Sequence, residues 1–536
     1  MKYAILIITL FAQFSNAHEF EEGKILIKFK ETPFKSKFSY PLKLQEELNL
    51  FQGKISIFKV IDFPKKLNRE GFLDLIEKLN QDPSVEIASP NYYYYPEDDK
   101  FNVQWGLYNN GSFNIRFGVA GIVGADINAT SAWKISTGDI NINVAVIDTG
   151  IDYYHPDLKN QMWINQKEVI GVSGVDDDGN GQIDDVYGYD FANGDSDPLD
   201  DHGHGTHVAG TIGASHNDFG VKGVMGNVSL MAIKYMPNNG PGVTENAIRC
   251  IDYALKMGAQ IINASWGGGS YDPLLLDAIK SANLRGVMFV AAAGNKSANN
   301  DLKPHYPSDY ISPNIISVAA TDASDALTMQ SNFGAGTVDV AAPGADIYST
   351  LPNSKYGIMN GTSSSTAFVT GVLGLLLSKE KNLSVEEIKS RLIYTSVEQD
   401  NLRNKIKPGG GRVDAYNLLK NLRPPRISEK NLVWEDVPIE PFESPHPYPD
   451  RTELTKTIKI PGAKFIRVVF EEFDMEKRYD FVELTSGNGS IVDRVSEKGQ
   501  NYISNFTSGD EITINFMSDF VKNGWGFLIK EVQVVR

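Results

Sequence analysis

Three residues far apart in the chain carry the groups that nucleophilic catalysis by serine needs. Asp148 ends the run Val144-Ala145-Val146-Ile147-Asp148-Thr149-Gly150. His204 sits in His202-Gly203-His204-Gly205-Thr206-His207-Val208-Ala209-Gly210, and Ser363 follows Asn360-Gly361-Thr362. A serine hydroxyl is a poor nucleophile at neutral pH, so a histidine must take its proton. A carboxylate must hold that histidine in the right tautomer and stabilise the imidazolium. Each motif alone has an ordinary reading, since a strand-end Asp often caps a helix and Gly-Thr-Ser is common. The three together, in the order Asp, His, Ser, are a specific signal.

A second constellation is acidic. In Asp176-Asp177-Asp178-Gly179-Asn180-Gly181-Gln182-Ile183-Asp184-Asp185, oxygens at Asp176, Asp178, Asn180, Gln182 (main chain) and Asp184 alternate around Gly181 as in a calcium-binding EF-hand loop. Position 12 is Tyr187 rather than glutamate, so closure falls to another acid such as Asp185, and no flanking helix pair is evident. An acidic surface turn is the alternative. The loop lies in residues 151–218, which hold 14 acidic and two basic side chains. Over all 536 residues, 51 basic and 67 acidic side chains give a formal net charge of −16. That balance argues against a protein that coats nucleic acid or an anionic membrane. The single cysteine, Cys250, excludes a disulfide scaffold and cysteine-based zinc or iron–sulfur sites, and reads as a buried, inert thiol.

The elements that must position these groups follow from the hydrophobic pattern. Lys2, the apolar run Tyr3 to Phe14 and Ser15-Asn16-Ala17 have the layout of a secretory signal peptide, too short to span a bilayer. The mature chain is therefore expected outside the cytoplasm, extracellular or periplasmic. Residues 18–95, with 12 basic and 12 acidic side chains, read as a small α/β unit. Lys24 to Lys30 alternates as a strand, Leu42 to Phe51 and Gly71 to Leu79 have helical spacing, and Val85–Ala88 and Asn91–Tyr95 look extended. Pro96-Glu97-Asp98-Asp99 reads as a linker.

From Trp105 to Leu422, short apolar strands alternate with helical stretches. Ile142–Ile147, Gln260–Ser265 and Val287–Ala293 read as strands, and Glu245–Met257 and Phe368–Leu377 as helices. The pattern indicates a parallel sheet covered on both faces. Chemistry in such sheets sits at the carboxyl ends of strands, where Asp148, Ser265 and Asn295 fall. Arg423-Pro424-Pro425-Arg426 breaks the pattern, and residues 451–536 read as the short strands of a β-sandwich.

On Val-Ile-Asp-Thr-Gly (146–150), His-Gly-Thr-His-Val-Ala-Gly (204–210) and Gly-Thr-Ser (361–363), residues 98–422 resemble the catalytic domain of the subtilisin-like serine peptidases, the subtilase or S8 family. The resemblance implies an α/β fold, a subtilisin-like parallel sheet flanked by helices. It implies that Asp148 orients, His204 is the general base and Ser363 the nucleophile, with His202 and His207 structural. Asn295, in Ala292-Ala293-Gly294-Asn295, is then the side-chain donor to the oxyanion, beside the Ser363 amide. Ser265-Trp266-Gly267-Gly268 is the edge that pairs with an extended substrate. His305 stands at the floor of the pocket before the scissile bond, where many relatives have glycine. It either shortens that pocket in favour of a polar or acidic side chain or turns into solvent. Asp157 matches a ligand of a second calcium site, which Asp98 or Gln104 would join. One departure is Ser364-Ser365-Thr366-Ala367 after the nucleophile, where the family has Met-Ala-x-Pro. The missing methionine removes an oxidisable thioether.

The same resemblance implies a division into a signal peptide (1–17), an inhibitory propeptide of ferredoxin-like α+β fold (18–97), a peptidase domain (98–423), and a linker with a C-terminal β-sandwich (424–536). The propeptide would act as an intramolecular inhibitor, with autocleavage between Tyr92 and Lys100. Phe473-Asp474-Met475-Glu476, Tyr479-Asp480-Phe481-Val482, Ser518-Asp519 and Gly524-Trp525-Gly526-Phe527 make the sandwich resemble a CUB domain without its usual cysteines. Glu476, Asp480 and Asp519 match the calcium-binding acids of some members. Such a domain would bind a protein or glycan surface or cap the enzyme. The expectation is a secreted, monomeric, calcium-stabilised serine endopeptidase acting on proteins or peptides, with no nucleic-acid partner. A catalytically silent binding protein on a peptidase scaffold and a narrow-specificity processing peptidase are the alternatives.

Overall fold

A computed structural model describes residues 20–30, 42–50, 53–60, 69–92, 100–111, 121–426, 432–477, 479–487, 489, 491–520 and 522–536. The chain forms two compact units, Met1–Asp98 and Asp99–Arg536. The expected signal peptide and the whole of the expected linker at 96–99 lie outside the described residues.

The first unit is α+β. Its strands β1 (Phe20–Phe29), β2 (Leu42–Leu50), β3 (Gly53–Val60) and β4 (Val85–Tyr92) pair antiparallel in the order β2-β3-β1-β4. Helix α1 (Arg69–Gln81) buries Phe72, Leu75, Ile76 and Leu79 against Ile25, Ile27 and Phe29. The segment expected to be helical from Leu42 is strand β2 instead. Leu42, Leu44, Leu48 and Leu50 also fit a two-residue period. The register with β3 shifts between Leu44 and Glu46, so the four-residue step from Leu44 to Leu48, which fits a helical turn, spans an irregularity in a strand. Pairing with β3 supplies the hydrogen bonds that a short isolated helix would have to nucleate alone. A β2–β3 hairpin thus stands where the first ferredoxin-like helix was expected.

The second unit opens on a seven-stranded, wholly parallel sheet. Its strands are β5 (Gly138–Asp148), β6 (Gly188–Asp190), β7 (Asn227–Lys234), β8 (Ile261–Ala264), β9 (Met288–Ala292), β10 (Ile315–Thr321) and β11 (Val340–Pro343), in the order β11-β10-β9-β8-β5-β7-β6. Val144 to Ile147 are buried on both faces, which explains a continuous apolar run in place of alternation. Helices α2 (His204–Gly213) and α5 (Thr362–Lys379) cover one face. Helix α5 is buried on every side from Ser364 to Leu377, apolar from Ala367 onward apart from Thr370, and packs on both α2 and β5. Helices α3 (Thr244–Lys256) and α4 (Pro273–Leu284) cover the other face, where Cys250 is fully buried and burial pushes its thiol well up. Because every strand runs the same way, the carboxyl ends of β5, β8 and β9 share one edge with the N-termini of α2 and α5. Gly205 permits that convergence, since a Cβ there would lie 2.0 Å from the Gly150 carbonyl oxygen.

A short antiparallel hairpin, β12 (Ile347–Leu351) with β13 (Lys355–Met359), follows the parallel sheet. Among the described residues the sandwich has nine strands in two antiparallel sheets. One holds β14 (Glu435–Glu443), β22 (Gly526–Val535), β16 (Phe465–Asp474) and β19 (Lys498–Ile503), with β20 (Thr507–Ser508) beside β16. The other holds β15 (Glu453–Lys459), β21 (Glu511–Met517), β17 (Phe481–Ser486) and β18 (Ile491–Val495). Phe470, Phe516 and Phe527 fill the space between them. Buried polar contacts fasten the sandwich to the peptidase fold. Arg494 bridges Asp322 and Glu483 at 3.1 and 2.6 Å, and Lys405 meets the fully buried Asp493 at 2.6 Å. Arg403 donates to the Phe506 carbonyl at 2.9 Å and lies 4.0 Å over its ring. In the connecting segment, Arg426 donates to the carbonyls of Ile393, Tyr394 and Ser396 at 2.8, 3.2 and 3.1 Å, the C-terminal end of helix α6 (Val385–Thr395).

Candidate active site

Asp148 is the last residue of β5 and is fully buried. Its Oδ1 lies 2.6 Å from His204 Nδ1 and accepts from the Thr149 amide at 2.8 Å, while Oδ2 is buried with no hydrogen-bond partner among the described residues. Burial disfavours the His204 imidazolium, but the charge and hydrogen bond of Asp148 outweigh it and the net shift is upward. His204 opens α2, and the loop before it is organised by Asp200. That carboxylate accepts from the amides of His202, Gly203 and Thr206 and from the hydroxyls of Thr149 and Thr206. Ser363 stands in the first turn of α5, its Oγ donating to the Ser265 carbonyl at 2.9 Å. Catalytic hydrogen bonds are often loose before substrate arrives. Ser265 Oγ donates in return to the Ser363 carbonyl at 2.9 Å, and Asn263 Nδ2 donates to Ser265 Oγ. The end of β8 and the start of α5 are therefore held together.

Asn295 lies just beyond β9. The Thr362 amide and hydroxyl donate to its Oδ1 at 2.9 and 3.0 Å, which fixes the rotation of the amide and so the direction of its Nδ2 donor. The same hydroxyl accepts from the Gly294 amide at 3.2 Å. Trp266 Nε1 donates to the Ile147 carbonyl at 2.9 Å, locking the β8 edge to β5. His202, His204, Ser265, Gly267, Asn295 and Ser363 line one cleft of about 400 Å³, with Lys296 and His305.

His305 does not face solvent. A Cβ on Gly267 would meet its ring at 2.4 Å and one on Gly294 at 2.8 Å, so the imidazole is clasped between the two strand edges. Burial, with the Lys296 ammonium adding to it, pushes His305 down to about 4. The ring is therefore neutral at physiological pH. His207 is fully buried on the Ile347 carbonyl at 2.9 Å and is likewise depressed by burial to about 4, a structural role.

The acidic loop is only partly assembled as its spacing suggests. Carboxylate oxygens of Asp176, Asp178 and Glu168 lie within 4.8 Å of one another. Glu168 comes from the short helix Gln166–Ile170 and also accepts from the amides of Asp177 and Asp184. Asp176 accepts from the amides of Gly181, Gly179 and Asn180, which lower its pKa. Asn180 Oδ1 accepts from the Gln182 amide, and Asp184 Oδ2 from that of Gly174. Asp185 is buried against Tyr253, Asn180 and Asn165, and burial raises its pKa to about 6. Asp157 is fully buried, with Asn217 Nδ2 on Oδ1 and the Val221 amide and Tyr356 hydroxyl on Oδ2. No group of three acids or histidines among the described residues includes it. Gln104 bonds the main chain of Lys222 through both ends of its amide, and Asp98 lies outside the described residues. In the sandwich, Glu476, Asp480 and Asp519 converge within 4.8 Å, and Glu476 Oε2 is buried without a partner among the described residues. A buried, unpartnered carboxylate oxygen among two other acids suits a hard divalent cation.

Sequence reasoning missed Glu168, Asp200, Lys296 and Thr362. Thr362 stood inside a quoted motif, but only the fold shows what its hydroxyl reaches. The other three belong to no spaced pattern.

Comparison with known proteins adds an independent line. The model of the Subtilase family matches residues 139–416, and that of the CUB domain residues 430–530. The chain is 31% identical over 410 residues to a "Thermophilic serine proteinase" from Bacillus sp. (strain AK1), covering 74% of this chain and 87% of that one. It is 32% identical over 373 residues to "Subtilisin-like protease 1" of Plasmodium berghei (strain Anka), covering 66% of this chain and 59% of that one. For the protein of the same name from Plasmodium falciparum (isolate 3D7) the identity is 33% over 345 residues, covering 60% of this chain and 47% of that one.

Proposed function

The chain belongs to the subtilase family of serine peptidases, and from that membership we propose that Ser363, His204 and Asp148 form its catalytic triad and hydrolyse peptide bonds through an acyl-enzyme. The observation that carries this reading is the 2.6 Å contact between the buried Asp148 Oδ1 and His204 Nδ1, with His204 lining one cleft together with Ser363 and Asn295. Substrate pairs as an added strand with Ser265-Trp266-Gly267. Ser363 Oγ leaves the Ser265 carbonyl, passes its proton to His204 Nε2 and attacks the scissile carbonyl. Asp148 holds the proton on Nδ1, and its unpartnered Oδ2 adds negative potential that favours the imidazolium. The Ser363 amide and Asn295 Nδ2 receive the developing oxyanion. His204 then protonates the leaving amine, and water repeats the sequence to release the acid.

The N-terminal segment acts in this proposal as a secretion signal (1–17) followed by an inhibitory propeptide (18–97) removed on maturation. Glu168, Asp176 and Asp178 would hold one calcium ion and Glu476, Asp480 and Asp519 another. When bound, each ion neutralises converging carboxylates and so stabilises the fold. The mature full-length enzyme should hydrolyse casein, lose activity to phenylmethylsulfonyl fluoride, and lose it again on Ser363→Ala. A mature protein, free of residues 18–97, that leaves casein intact would overturn the reading in favour of a silent binding protein.

A further inference from the structure

A groove of about 850 Å³ runs between the peptidase fold and the sandwich. One wall is built from residues 296–305, 326–333 and 401–405, the other from residues 473–505. It joins the catalytic cleft, because Lys296 and His305 line both. Its charge is opposite to that of the molecule. Seven lysine and arginine side chains line it against one acid, Glu497, in a chain of net charge −16. Five of the seven are engaged: Arg403, Lys405 and Arg494 in the interdomain contacts to Phe506, Asp493 and Asp322, Lys477 with Glu497, and Lys498 with Asp474. Lys296 and Lys303 are exposed and have no ion-pair partner among the described residues. Apolar surface faces the groove from both walls, with Leu302 79% and Ile503 43% exposed.

We propose that this interdomain groove is a second substrate-binding site, which captures an acidic segment carrying an aliphatic side chain from the same polypeptide that is cut in the adjoining cleft. The proposal rests on the peptidase reading and deepens it. Lys296 and Lys303 would pair with carboxylates of the segment, and Leu302 and Ile503 would cover its apolar residue. The sandwich then contributes to substrate choice, because half of the groove is its own surface. Binding beyond the scissile bond raises affinity by adding contacts to an already tethered chain.

The test uses the mature full-length enzyme and three sets of fluorogenic peptides sharing one cleavable core. The core is left bare, extended at either end by a tail of Asp, Glu and Leu, or extended by a Gly-Ser tail of equal length. The acidic tail at one end should lower KM about fivefold or more relative to the Gly-Ser tail, and 0.5 M NaCl should remove most of that gain. The double variant Lys303→Glu/Ile503→Ser should abolish the gain and leave turnover of the bare core unchanged. Equal KM for acidic and Gly-Ser tails, or a gain that survives the double variant, overturns the proposal. Failure to cut even the bare core overturns the peptidase reading instead. In that case fluorescence anisotropy of a labelled acidic-tail peptide on the full chain still decides, because equal binding to wild type and Lys303→Glu rejects the groove.

Discussion

Replacing Arg494 by methionine tests whether the sandwich is an integral part of the enzyme. The guanidinium reaches Glu483 Oε2 at 2.6 Å and Asp322 Oδ2 at 3.1 Å. Its side chain is 18% exposed and both carboxylates are 8% exposed, so this is not a solvent-screened surface pair. Removing one partner of a buried ion pair leaves uncompensated charge and costs about 3–5 kcal/mol. Asp322 keeps three donors on Oδ1, the Ser324 amide and hydroxyl and the Ala326 amide, which places the expected loss at ~3 kcal/mol. The assay is urea unfolding of the full chain, followed by residual peptidase activity and by hydrogen–deuterium exchange of peptides from residues 432–536 in the sandwich. In wild type the two probes should move together. In Arg494→Met the sandwich should unfold at lower urea and the transitions should separate. The triple variant Asp322→Asn/Glu483→Gln/Arg494→Met removes all three charges and should recover more than half of the loss. A single variant within ~0.5 kcal/mol of wild type would assign the bridge the worth of an exposed pair, and a triple variant no better than the single one would refute the charge argument.

Four further outcomes follow from the geometry. His204 must be neutral to accept the serine proton, and Asp148 raises its pKa above the ordinary 6.5; kcat/KM should therefore be full above the raised value and fall as pH drops through it, and Asp148→Asn should cut kcat by ~10⁴. Asn295→Ala should lower kcat by about 10²–10³, a magnitude measured in this family itself, and Thr362→Val, which removes the hydroxyl clamp on Oδ1 and the acceptor of the Gly294 amide but keeps the Thr362 amide on Oδ1, should lower it less and leave KM unchanged; an equal or greater loss in Thr362→Val would contradict the clamp. A chelator should lower the unfolding midpoint and calcium restore it, by about 3 kcal/mol at a hundredfold excess over Kd, and Glu168→Gln/Asp178→Asn should blunt the response; a midpoint indifferent to chelator would return the loop to an ordinary acidic surface. His305→Gly should open the pocket and raise kcat/KM for aromatic over alanyl residues before the scissile bond by roughly 10–100-fold, whereas wild type already preferring large aromatics would show that the ring does not obstruct the pocket.

Much of the fold was readable because its signals are local. Continuous apolar runs between helical stretches identified the parallel sheet, and the carboxyl-end position of Asp148 followed from its place in the Val144–Asp148 run. The β2 segment failed because its leucines satisfy two periods at once, and only the pairing with β3 chose between them. The bulk acidity also changed meaning. Of the 14 acids in residues 151–218, Asp200 is satisfied by hydroxyls and main-chain amides, Asp190 by amides and Asn193, and Asp185 by side-chain donors. Asp176 and Asp178 instead converge with Glu168 in one three-acid cluster.

The sequence by itself determined which chemistry the chain can do, because motif residue types and their order specify nucleophile, base and orienting acid. It also determined the strands and helices that carry them, because burial demands a characteristic period. Tertiary structure alone decided what each polar atom faces. It set His305 between Gly267 and Gly294, brought Glu168 to the acidic loop, hung Asn295 on Thr362 and lined a basic groove between two domains of an acidic chain. Those contacts join residues distant in sequence, and hydrogen bonds and charges act through space over a few ångströms, so no spacing along the chain encodes them.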